Sequence, residues 1–69
     1  MITEQDLILT ITAHITLDGC FCFWEGMVLH TITGYTNVGD KFRGVDEDGK
    51  KHVYDLSQIL KCIYNKQLN

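Results

Sequence analysis

From Leu7 to Leu17 every odd position is apolar: Leu7, Leu9, Ile11, Ala13, Ile15 and Leu17. The even positions are polar apart from Ile8. This alternation predicts a long half-buried β-strand. A helix competes with it. Thr3 with Asp6 has the spacing of an N-cap, and Leu7, Ile8, Ile11 and Ile15 fall on one helical stripe. The Ile and Thr content favours the strand, because β-branched side chains lose rotamer freedom in a helix and fit a pleated surface. A short helical turn over Thr3 to Asp6 is compatible with that strand.

Asp18-Gly19 then breaks the run. Asp-Gly between two strand patterns predicts a tight hairpin, since a type I′ turn needs positive φ at both central residues. A two-residue loop would set Leu17 opposite Cys20, Ile15 opposite Cys22 and Ala13 opposite Trp24. Cys20, Cys22 and Trp24 would then join the core face. Phe21, Phe23 and His14 would lie on the other, threonine-rich face.

Further along, Glu25-Gly26 marks a turn or a bulge, and Met27 to Thr33 reads as a strand. Thr33-Gly34 and Asn37-Val38-Gly39-Asp40 are turn clusters. Lys41 to Val45 and Lys51 to Leu56 read as strands around a hairpin tip, Asp46 to Lys50, with Gly49 in the left-handed region. Ser57 to Leu60 reads as one helical turn, Lys61 to Tyr64 as a last strand and Asn65 to Asn69 as a polar tail. The predicted fold is one all-β domain over residues 1–69, with residues 1–6 as lead-in. Its core is an antiparallel meander of about five strands curled into a small barrel. Two stretches resemble SH3-like and Sm-like small barrels. Val53-Tyr54-Asp55-Leu56-Ser57-Gln58-Ile59 is similar to the strand and helical turn that precede their closing strand. Ile15-Thr16-Leu17-Asp18-Gly19 resembles the start of an Sm motif. The resemblance implies the barrel topology; the Asp-to-Asn RNA-binding signature is missing around Tyr35-Thr36-Asn37.

Composition narrows the function classes. The chain has 69 residues, 45% of them hydrophobic and 22% charged, which is an ordinary globular balance. No apolar run approaches the roughly 20 residues of a membrane span. Met1 to Asp6 has neither a basic region nor a cleavage site, and three cysteines are an odd number. A reduced cytoplasmic setting is therefore expected. Charge is uneven: residues 1–40 carry −5 with no Lys or Arg, and residues 41–69 carry +2, for a net −3.

Six side chains have the chemistry of metal ligands: Cys20, Cys22, Cys62, His14, His30 and His52. A Cys-x-Cys pair on a strand, however, spreads its sulfurs about 6–7 Å along the chain, wider than a tetrahedral site takes. The cysteines are read as small buried hydrophobes, with no metal and no cofactor. A zinc-stapled domain is the third alternative. Nothing orients Cys62 and His52 as a nucleophile pair, and Gly34, Gly39 and Gly44 do not form a phosphate loop, so no enzyme is expected.

The leading expectation is a non-enzymatic module that binds another protein through the aromatic hairpin face. Its expected contacts are Phe21, Phe23 and His14, then Tyr35 and the acidic tip Asp46, Glu47 and Asp48. By analogy of size, a regulator or inhibitor of the kind encoded by viruses and mobile elements fits. A chain this short gains from association, so a homodimer or larger oligomer is also expected. The alternative is a nucleic-acid-binding barrel that uses Lys41, Arg43, Lys50 and Lys51, with Tyr35, Phe42 and Tyr54 as stacking platforms.

Overall fold

Thr3 opens a helix, not a strand. In the computed structural model, which describes residues 2–38 and 41–68 and side chains to residue 64, α1 runs over Glu4–Asp18. Thr3 and Asp6 form a reciprocal capping box: the Thr3 hydroxyl accepts from Asp6 N and the Asp6 carboxylate accepts from Thr3 N. Gly19 ends the helix at φ 85°, its N–H donating to Ile15 O at 3.0 Å. It is a helix C-cap and not half of a hairpin turn. The alternation over 7–17 misleads because Leu7, Ile11 and Ile15 satisfy both periods. Leu9 and Leu17 decide between them: they are 65% and 82% exposed, while Leu7 and Ile11 are buried. The threonines are accommodated locally, with Thr10, Thr12 and Thr16 each donating a hydroxyl hydrogen bond to the carbonyl four residues back.

Five antiparallel strands follow: β1 Phe21–Glu25, β2 Val28–Ile32, β3 Gly34–Val38, β4 Lys41–Val45 and β5 Lys51–Tyr54. They form a two-stranded sheet, β1-β2, and a three-stranded sheet, β3-β4-β5. Thr33 joins the two, donating its N–H to Val45 O at 2.8 Å and its hydroxyl to the carbonyls of Val45 and Asp46. Gly26, at φ 61°, and Met27 make the tight turn between β1 and β2, so Gly26 is a turn residue and not a bulge. The tip between β4 and β5 has Gly49 at φ 85°, as expected. Strand β3 was not expected; the turn placed over Asn37–Asp40 overlaps its end, and residues 39 and 40 lie outside the described residues.

The C-terminal segment is helical, α2 Leu56–Leu68, where one turn, a strand and a tail were expected. Asp55 caps it, accepting from Ser57 N at 3.0 Å and Ser57 Oγ at 2.8 Å. Leu56, Ile59, Leu60 and Ile63 recur at helical spacing, and that stripe packs on the core with Ile59 fully buried. Helix α2 lies against β1 and α1, and α1 also touches β1. Among the described residues neither sheet closes into a barrel, so the fold is α+β, with five strands and two helices.

Register in the hairpin is inverted relative to expectation. Phe21 and Phe23 are 7% and 6% exposed, in one core with Leu7, Ile11, Ile32, Phe42 and Ile59. Cys22 and Trp24 point outward. With Asp18-Gly19 capping a helix, no strand precedes β1 to pair with it. The face of β1 is then set by the two helices, which cover the Phe side.

Candidate functional site

Two surface regions are candidates for a site. The first is the outer face and tip of the β1–β2 hairpin. Trp24 and Leu29 are cross-strand partners on that face, beside the Cys22 and Thr31 pair. Met27 at the tip is 95% exposed and Trp24 is 42% exposed, and Val28 and Leu29, which follow Met27, are exposed as well. Leu9, Leu17, Val38 and Val53 are also exposed elsewhere, but on the hairpin Trp24 and Leu29 adjoin as a cross-strand pair next to the exposed turn.

The second is a cleft of about 470 Å³ between the hairpin and the β4–β5 tip. Its floor is aromatic. The Phe23 ring stacks on His30 at 4.8 Å, and Tyr54 meets His30 edge-on at 5.8 Å. Glu25, Asp46, Glu47, Asp48 and Asp55 line it, with no Lys or Arg among the lining residues. Two imidazoles bind carboxylates here: His30 Nε2 lies 3.1 Å from Glu25 Oε1, and His52 Nε2 lies 2.7 Å from Asp46 Oδ2. Hydrogen bonds from His52 and from the backbone of Lys50 and Asp48 hold the Asp46 carboxyl below its usual range. Burial raises the Tyr54 phenol.

The expected contact residues therefore separate. Phe21 and Phe23 are core. Tyr35 is structural, its ring stacked on Phe42 at 5.0 Å and its hydroxyl 2.6 Å from Thr12 Oγ1. His14 stands on exposed helix surface, 3.4 Å from Asp18 and with its ring centre 5.6 Å from that of Phe21. Asp46 is committed to the loop, where Oδ1 accepts from Asp48 N and Lys50 N. Glu47 and Asp48 are exposed on the cleft rim. Among the basic set, Lys41, Arg43 and Lys51 share the outer face of the three-stranded sheet, and Lys50 sits at the tip. Phe42 and Tyr54 occupy the opposite face, and Phe42 is buried. The aromatic stacking platforms expected beside these cations are thus turned away from them.

Nor does the structure join Cys62 to His52. Cys62 lines an apolar groove of about 390 Å³ with Leu7, Phe21 and Trp24, whereas His52 lines the aromatic cleft. Cys22 is exposed and Cys20 half-buried, so neither is the buried hydrophobe expected. Among the described residues, no three His, Cys, Asp or Glu side chains converge as a metal site, and no helix is long and apolar enough to cross a membrane. Trp24 was expected on the core face opposite Ala13, and Met27, Val28 and Leu29 were not among the expected contacts; only the correct hairpin parity would have placed Trp24 and Leu29 together outside. The chain matches no protein-family model, and no curated protein or solved structure is significantly similar to it.

Proposed function

We propose that the chain is a non-enzymatic protein-binding module, acting as a regulator or inhibitor, that engages its partner through the β1–β2 hairpin. The observation that carries this reading is the exposure of the Trp24 and Leu29 pair on the outer face of the hairpin, with Met27 exposed at its turn and Val28 exposed on the other face. Aromatic side chains and Met are enriched at interface centres. The aromatic hairpin face is retained from the sequence reading, with Trp24 in the place first given to Phe21 and Phe23. The acidic cleft beside it shares Glu25 and Leu29 with the hairpin, so the partner surface that fits is an apolar pocket flanked by Lys or Arg.

A photo-crosslinking residue at position 27, with a second variant carrying it at exposed Leu9 on α1, tests this in a host extract. The expected result is one protein product from position 27, none from position 9, and loss of the product on Trp24→Ser. Equal products from both positions overturn the reading. A product that is nucleic acid, with binding that weakens steeply as salt rises, replaces it with the nucleic-acid alternative. A second copy of this chain as the sole product replaces it with self-association.

A further inference from the structure

Cys20 and Cys22 are closer than their positions on an extended chain would allow. Cys20 precedes the first residue of β1, in the link from the Gly19 cap, and is free of the strand's pleat. Its Sγ lies 3.9 Å from that of Cys22. Two thiolate–metal bonds of about 2.3 Å, at the tetrahedral angle, hold their sulfurs about 3.8 Å apart. The pair therefore already stands at the bite distance of a tetrahedral dithiolate chelate. We propose that Cys20 and Cys22 form a bidentate binding site for a soft divalent cation of the zinc group, with solvent completing the coordination shell.

Asp18 and Glu47 act electrostatically on Cys20, and their negative charge attracts a divalent cation to the pair. Thr31 Oγ1 lies 3.6 Å from Cys22 Sγ and donates to that sulfur once it is a thiolate. Cys22 is exposed, so the ion has a direct path from solvent. The balance is simple: two S–H bonds break, two S–metal bonds form, and two protons leave to solvent.

Titration of the full chain with Cd²⁺ alone, followed by thiolate-to-metal charge-transfer absorption, tests the site. One ion per chain is expected. Cys20→Ser and Cys22→Ser should each weaken binding at least about tenfold, whereas Cys62→Ser leaves it unchanged. Far-UV circular dichroism of each variant confirms that it is folded. Release of two protons makes affinity rise about a hundredfold from about pH 6 to about pH 7. No charge-transfer band, a band that survives in the Cys20→Ser, Cys22→Ser double variant, or a pH slope of zero or one proton overturns the proposal.

Discussion

The Tyr54 ring lies on the backbone of Gly44: a Cβ at position 44 would stand 2.7 Å from Tyr54 Cε2 and 3.3 Å from Ile32 Cγ1. Position 44 is buried on β4, opposite His52 on β5. Glycine is needed there for the close approach of a ring, not for an unusual φ. Gly44→Ala should cost about 1–3 kcal/mol, the range for inserting a methyl group into a packed site. Denaturant unfolding measures it. In a Tyr54→Ala background the Gly44→Ala penalty should shrink, since the nearest obstacle is gone; an unchanged penalty would assign the cost to Ile32 instead.

Three aspartates should make stability fall in acid. Backbone and side-chain hydrogen bonds to Thr3 lower Asp6, the His52 and loop hydrogen bonds lower Asp46, and Ser57 lowers Asp55. Each folded-state value lies below the unfolded aspartate value of about 3.9. The fold thus binds fewer protons than the unfolded chain near that pH. Their stabilisation is present above the unfolded value and is lost as pH falls through the folded values. The urea midpoint should hold between about pH 7 and pH 5 and then fall below about pH 4. Asp46→Asn should flatten part of that fall; a midpoint that rises on acidification contradicts the assignment.

The α1 cap makes a separate prediction. Thr3→Ala removes the hydroxyl that Asp6 N donates to at 3.2 Å, and should cost about 1 kcal/mol by thermal or urea unfolding. Thr3→Ser keeps the acceptor and should lie close to the parent. If Ala and Ser behave alike, the capping hydroxyl does not stabilise the helix.

The β4–β5 hairpin was legible because its signals are local. The tip over Asp46 to Lys50 needed Gly49 at positive φ and a carboxylate to collect its backbone N–H groups, and both are present. Strands β4 and β5 follow from it. The first element failed on a degeneracy: Leu7, Ile11 and Ile15 are spaced by four, a multiple of two and also close to one helical turn. Thr3 and Asp6 carried the deciding signal, but a cap is worth about as much as the β-propensity that opposed it. One wrong element then propagated. With a strand before it, Asp18-Gly19 became a hairpin, the parity of β1 reversed, and Phe21 and Phe23 exchanged places with Cys22 and Trp24. In α2, the short run Cys62-Ile63-Tyr64 looked strand-like, while the longer stripe over Leu56, Ile59, Leu60 and Ile63 was helical.

That exchange of faces gives the sharpest test of the hairpin. Phe23 is 6% exposed and packed among the Phe21, His30 and Tyr54 rings, and truncation removes those contacts from the core. Phe23→Ala should cost about 3–5 kcal/mol, a large share of the roughly 5–15 kcal/mol that holds a typical domain together. Met27 is 95% exposed, and Met27→Ser should change stability by no more than about 0.5 kcal/mol. The two variants should therefore dissociate stability from binding. Phe23→Ala should lower the unfolding midpoint sharply and lose partner capture only in proportion to its unfolded fraction. Met27→Ser together with Trp24→Ser should keep a cooperative unfolding transition and lose capture. Parent-level capture by that folded double variant would remove the hairpin from the interface.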